Sequence, residues 1–341
     1  MAIPGNLLTT AMAVMPHRDV DRALELAFSL DVPFWPQLPL LNYYEDMYVQ
    51  ASEGFPGILL DLKERTLRFS SDKFALDLEE VLAHFEEPEY FDISPAYSVV
   101  YHRFLQSELA ARPAIRGQLE GPVSFGLNIH DQDNRPILFD DTVRPFMLDF
   151  MARRVNVQLK RLMELNDNAF MFVDEPGLQF IFSGMSGYNN IKAREDMETF
   201  FAQIDRPRGI HLCGNPDWDF LLGLDLDVLS LDMYSNGERF VSYLGSIRKF
   251  LDRGGILIWG IVPTNFEPFE RESVESLERR LLELWESLGR GGMDLDHLVS
   301  RSMISPATCC LVNPDGVATV EKAFAITNEL SRRLRERFRL V

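Results

Sequence analysis

Short apolar, strand-like runs alternate with amphipathic helical stretches along most of this chain, and no other feature narrows the fold as far. A strand joined to a parallel neighbour needs a crossover, usually a helix, so repeated βα units specify a parallel sheet with helices outside it. "NAFMFVDEP" (168–176) reads as a buried strand stopped by proline, and "GIHLC" (209–213), "DLDVLSLDMY" (225–234), "GGILIWGIVP" (254–263) and "SRSMISP" (300–306) continue the series. Between them lie helical stripes: Val143, Met147, Met151, Val155 and Leu159; Phe240, Leu244, Ile247 and Leu251; Val274, Leu277, Leu281, Leu284 and Leu288, ending before Gly289. Ala323, Ile326, Leu330 and Leu334 mark a closing helix.

The first third is less regular. "TTAMAVMP" (9–16) predicts a first strand, Asp19 to Phe28 its helix, "VPFWPQLP" (32–39) a second extended run, and a hairpin turns across Lys63 and Glu64. From Ala114 the alternation is clear again, with "AIRGQLEGPVSFGLNI" (114–129) as strand and turn. About eight such units specify an α/β fold, a single (β/α)8 TIM barrel over residues 1–341, with residues 38–112 as an inserted or decorating region. A dinucleotide-binding sheet is excluded because "MPHRDVDR" (15–22) has no glycine-rich turn.

Charge and cysteine usage restrict the partners. A net charge of −18 argues against nucleic acid, whose phosphates need clustered Lys and Arg. The one basic run, Arg332, Arg333, Arg335, Arg337 and Arg339, reads as a solvated helix face. "MAIPGNLL" lacks a basic segment followed by an apolar one, and "ILIWGIV" is too short to cross a bilayer, so a cytoplasmic protein with no membrane partner is expected. Three cysteines, Cys213, Cys309 and Cys310, form no even disulfide framework.

A barrel collects its active-site residues at the carboxyl ends of its strands. His211 and Cys213 stand there, and positions i and i+2 of a strand share a face, so both side chains can grip one ion. With six histidines and three cysteines in the chain, chance alone gives this pair in roughly one sequence of twenty. "SPATCC" brings Cys309 and Cys310 to another strand end. Imidazole and thiolates suit tetrahedral zinc and leave a position for substrate. The same residues also read as a core histidine, a buried thiol and packing cysteines. Glu120, His17, His130, Asp174 and Glu175 lie at other expected strand ends, as binding groups or solvated loop residues.

Taken in order, "TTAMAVMPH", "EGPVSF", "VDEPG", "HLCGN", "LDVLSLD", "GIVPTN" and "SPATCCL" resemble the catalytic barrel of cobalamin-independent methionine synthase and the methylcobamide:coenzyme M methyltransferases, within the uroporphyrinogen decarboxylase-like superfamily. The resemblance covers most of the chain and leaves residues 38–112 unmatched. It implies a zinc ion on His211, Cys213 and Cys309, with Cys310 as the alternative because Thr308 adds one residue before the pair. Asp232 stands where those methionine synthases have a glutamate ligand. Asp174 then contacts the amino group of homocysteine, with Glu175 beside it as a second catalytic candidate.

The implied activity is a zinc-dependent methyltransferase that moves a methyl group from a methylated corrinoid, such as methylcobalamin, or a methylated folate to a thiol such as homocysteine or coenzyme M. A corrinoid protein is a possible partner. Two other functions fit the same barrel: a metal-free decarboxylase of the uroporphyrinogen type, which needs arginines where only Arg18 stands, and a non-catalytic barrel that binds a corrinoid or a partner.

Overall fold

A computed structural model describes residues 3–181, 188 and 190–340. Its strands are β1 (Leu8–Thr9), β2 (Ile58–Asp61), β3 (Thr66–Phe69), β4 (Ile115–Glu120), β5 (Ala169–Asp174), β6 (Arg208–Leu212), β7 (Val228–Asp232), β8 (Ile256–Val262) and β9 (Ser302–Pro306). Seven of them form one curled parallel sheet in the order β1-β9-β8-β7-β6-β5-β4. The expected helices follow in place: Val20–Phe28, Val143–Met163, Leu244–Asp252, Val274–Arg290 and Ala318–Arg337. Val274–Arg290 runs through Gly289 and stops one residue later.

About eight barrel strands were expected, and among the described residues seven form the parallel sheet. The first is two residues long rather than spanning 9–16, and the run 32–39 is not a strand. Residues 32–37 still lie between β1 and β4, bonded at separate points: Val32 N donates to Thr9 O (2.9 Å), Arg116 N to Pro33 O (3.0 Å) and Gln37 N to Ala13 O (2.8 Å). Isolated bridges join Val14 to Gln37 and Phe34 to Arg116. Pro33 and Pro36 lack the N–H groups that a continuous ladder requires, which explains why the segment is extended but unladdered.

Strand periodicity divides the core in two. Ile115, Leu119, Met171, Val173, Ile210, Leu212, Leu229, Leu231, Leu257 and Trp259 face outward to the helices in the main cluster. A second, separate cluster of Leu8, Phe170, Phe172, Val228, Ile256, Ile258 and Met303 fills the concave side. Residues of the same parity as this second set therefore point inward: Arg116, Gln118 and Glu120 on β4, Asp174 on β5, His211 on β6, Ser230 and Asp232 on β7.

The region 38–112 carries the predicted hairpin, β2 with β3, whose turn is held by Lys63 N and Glu64 N donating to Asp61 Oδ1 (2.9 and 3.0 Å). It also carries the helices Met47–Ser52, Ser71–Ala83 and Val99–Leu105. Buried Glu45 ties it together, accepting from Ser98 Oγ (2.6 Å), Val99 N (2.8 Å) and Gln50 Nε2 (3.1 Å). Arg154, fully buried on the helix Val143–Met163, clasps it through Gln50 O (3.1 Å) and Glu53 O.

On the closing helix the arginines meet acids of this same chain. Arg332 pairs with Glu329 and Glu336, Arg333 with Glu275 and Glu278, and Arg337 with Glu278. Among the described residues no helix is long and apolar enough to cross a membrane.

Candidate active site at the carboxyl ends of the sheet

Backbone register sets the inward groups side by side: Glu120 opposite Asp174, Asp174 opposite His211, and His211 opposite Ser230. His211 is buried, with Nδ1 3.1 Å from Ser230 Oγ. Burial, reinforced by the positive charge of Arg116, pushes its imidazole down to about 3, so the ring is neutral at pH 7. With Nδ1 engaged by the serine, Nε2 is the nitrogen left for a ligand.

Cys213 follows β6 by one residue and keeps the inward parity of His211. Its thiol is raised to about 11 by burial first and then by the negative charges of Asp174 and Asp232. Cys309 lies in the irregular segment after β9 and is exposed, yet the protein packed around its sulfur raises it to about 12, with Cys213 and Asp174 adding to the effect. Cys213, Cys309 and the two aspartates thus share one electrostatic neighbourhood. Cys310 is buried in the main hydrophobic cluster, and its Sγ donates to Val312 O (3.4 Å). Asp232 is buried and caps the helix Met233–Phe240, its Oδ1 accepting from Ser235 N (2.9 Å). Among the described residues, no three His, Cys, Asp or Glu side chains are already gathered in metal-binding proximity.

Glu120 and Asp174 form the second part of the site. Each carries a buried oxygen with no hydrogen-bond partner, Glu120 Oε1 and Asp174 Oδ1. Burial raises Glu120 well above the usual carboxylate range, helped by Asp174 and Glu175, while the hydroxyl of Tyr48 bonds to it. Asp174 is raised by burial to about 7 and held from rising further by Arg116. A cavity of about 430 Å³, with Tyr48, Ser124, Asn128 and Phe180 in its wall, opens where β4 and β5 end.

Glu175 faces away from the concave side, although it is the chain neighbour of Asp174. Its Oε1 accepts from Val123 N (3.0 Å), and Oε2 accepts from Ser124 N (2.8 Å) and Ser124 Oγ (2.6 Å), so both oxygens hold the start of the helix Pro122–Asn128. Gly177 N donates to the same Ser124 Oγ (2.8 Å), which couples the loops after β4 and β5. Gly121 must be glycine here, because a Cβ would lie 2.2 Å from the Glu175 carboxyl. These bonds make Glu175 a support rather than a group free for substrate.

The two other candidate histidines stand apart. His17 is buried against the closing helix, with Nε2 3.3 Å from Glu321 Oε1, and burial lowers its imidazole. His130 Nδ1 is 2.9 Å from Asn128 O, and the residue bridges to Pro136. Neither is a register neighbour of the inward group. Arg116, Ser230 and Tyr48 were not singled out from the sequence. For two of them a signal existed: "IRGQLE" and "VLSLD" place polar residues two apart within strands, which marks a polar inward face.

No family model and no curated protein matches this chain. A solved methyltransferase shares its fold. That protein, a methyltransferase from Methanosarcina mazei, superposes with a TM-score of 0.50 at 13% identity, over 96% of this chain and 93% of its own. A GH10 endoxylanase from a sugarcane soil metagenome aligns over 94% of this chain and 96% of its own, at 10% identity and a TM-score of 0.29, too low to carry an argument.

Proposed function

We propose that the chain is a thiol S-methyltransferase whose zinc is held by His211, Cys213 and Cys309, with the Asp174 side of the mouth binding the acceptor. The observation that carries this reading is the pairing of an inward, neutral, serine-oriented imidazole with an inward thiol two residues later, and a second thiol from the end of β9 in the same electrostatic neighbourhood. The donor set fits the metal: neutral nitrogen and soft sulfur suit zinc. The fold shared with a solved methyltransferase supports the reaction class.

Zinc would supply the Lewis acidity that keeps an acceptor thiol deprotonated near neutral pH. The rest follows from the chain. Ser230 fixes the ring of His211, Cys213 follows directly on the end of β6, and Cys309 arrives on an irregular segment, so its approach is set by that loop. Asp174 offers an unpartnered oxygen to an ammonium group of the acceptor. In the transfer, the acceptor sulfur forms a bond to the methyl carbon, the donor atom keeps the bonding pair, and the thiol proton passes to solvent. A methylated corrinoid, delivered free or on a corrinoid protein, is the donor we favour, with a methylated folate as the alternative. A decarboxylase would need guanidinium groups open to a polycarboxylate, and the arginine inside this sheet, Arg116, is 1% exposed.

Two substitutions test the ligand set. Cys309→Ser is expected to remove zinc from the purified protein, whereas Cys310→Ser should retain it, as read by elemental analysis. Equal retention in both variants would exclude Cys309 as a ligand. Ser230→Ala removes the bond that orients His211 and should weaken zinc binding by roughly 10–100-fold in a chelator competition, with the fold unchanged. An unchanged affinity would mean that the imidazole is oriented by other contacts.

A further inference from the structure

The segments that follow β8 and β9 stay fastened to each other beyond the end of the sheet. Ala307 N donates to Val262 O (2.8 Å), the last backbone bond between them. Past that point the bonds come from side chains. Thr264, 2% exposed, donates from Oγ1 to Thr308 O (3.0 Å). A hydroxyl has one proton, so the same oxygen is the acceptor of its second bond, from Thr308 Oγ1 (3.2 Å). Asn313 closes the far end: its Nδ2 donates to Thr264 O (2.9 Å), and its Oδ1 accepts from Phe266 N (2.9 Å).

Residues 309–312 therefore form a short loop whose two flanks, Thr308 and Asn313, are bound to one stretch of chain, 264–266. A loop closed over so few residues keeps few alternative conformations, and little ordering is left for a ligand to impose. Inside the loop Cys310 is buried and Cys309 is exposed. A slip by one residue would exchange them, and the bonds to Thr308 and Asn313 on either side resist that slip.

We propose that Thr264, with Asn313, is a positioning residue for the metal site: the clamp fixes the register of residues 309–312 so that the sulfur of Cys309, rather than that of Cys310, is presented beside His211 and Cys213. The inference rests on the reading of Cys309 as a ligand given under the proposed function. It adds how a sulfur on an irregular segment is delivered with the precision that a tetrahedral ion requires. Thr264 binds neither metal nor substrate and acts through Thr308, the chain neighbour of Cys309.

The test is a Co2+ titration of the metal-free, purified full chain, since Co2+ accepts the same imidazole and thiolate ligands and its sulfur-to-cobalt charge-transfer absorption reports the thiolates bound. Cys309→Ser should lose about half of the wild-type absorption at saturation. Thr264→Val, which keeps the shape and removes the hydroxyl, should weaken Co2+ binding roughly 10–100-fold, the scale of lost support behind a ligand. Thr264→Ser should restore wild-type affinity. In the Cys309→Ser background, where that sulfur is already gone, Thr264→Val should change the affinity no further.

Wild-type affinity in a folded Thr264→Val variant overturns the inference. So does an equal loss of affinity in the Cys309→Ser background, because Thr264 would then act on the fold at large. Should Thr264→Val not fold, Asn313→Ala decides by the same two comparisons. Cys309→Ser with undiminished charge-transfer absorption refutes Cys309 as a ligand and takes this inference with it; diminished absorption there with an indifferent Thr264→Val refutes the inference alone.

Discussion

Cys213→Ala is expected to lower zinc from about one ion per chain to background while leaving circular dichroism and the thermal midpoint nearly unchanged. A three-ligand site that loses the Cys213 thiolate retains an imidazole and one other thiolate, too few to compete for the metal in a purified sample. The sheet does not depend on that sulfur: Cys213 is half-buried, lies outside the main core cluster, and follows the last residue of β6. Methyl transfer to a thiol should fall with the metal. Retention of zinc in the variant would show that Cys213 is not a ligand.

Glu175→Ala has the opposite character, a large stability effect without direct loss of a ligand. It strips three hydrogen bonds from Val123 N, Ser124 N and Ser124 Oγ, all buried, and leaves space where the carboxyl lay against Gly121. Orphaned buried donors cost about 1–3 kcal/mol each, and partial relaxation puts the total at roughly 3–5 kcal/mol, or a fall in Tm of about 4–7 °C for a chain of this size. Zinc content should persist in the folded fraction at low temperature. A thermal midpoint within about 1 °C of wild type would mean that water or a rearranged Ser124 replaces the carboxylate.

The fold was legible where periodicity was strong. Runs such as "ILIWGIV" and the stripe from Val143 to Leu159 fall on β8 and on a crossover helix because apolar residues there have one burial solution. The place of an eighth strand was misread because apolar content at 32–39 hides two prolines within residues 32–37, and a missing N–H is a backbone fact that hydropathy does not register. In the site, His211 and Cys213 were readable as a pair because a strand repeats its face every two residues. The same rule argues against treating Asp174 and Glu175 as equivalent, since chain neighbours at a strand end face opposite sides; the first points into the mouth and the second props the next loop. Arg116 was missed because a buried cation without a carboxylate partner is recognisable only once Phe34, Phe172, Thr10 and Gln118, distant in sequence, are seen around it.

The central claim concerns one metal and its ligands. X-ray absorption at the zinc edge, with elemental analysis of the same protein, tests it directly. The expected result is about one zinc per chain with two sulfur neighbours near 2.3 Å and one imidazole nitrogen near 2.0–2.1 Å, the remaining neighbour being light. A zinc-reconstituted protein that binds no metal, or one whose zinc has only oxygen and nitrogen neighbours, would contradict the account.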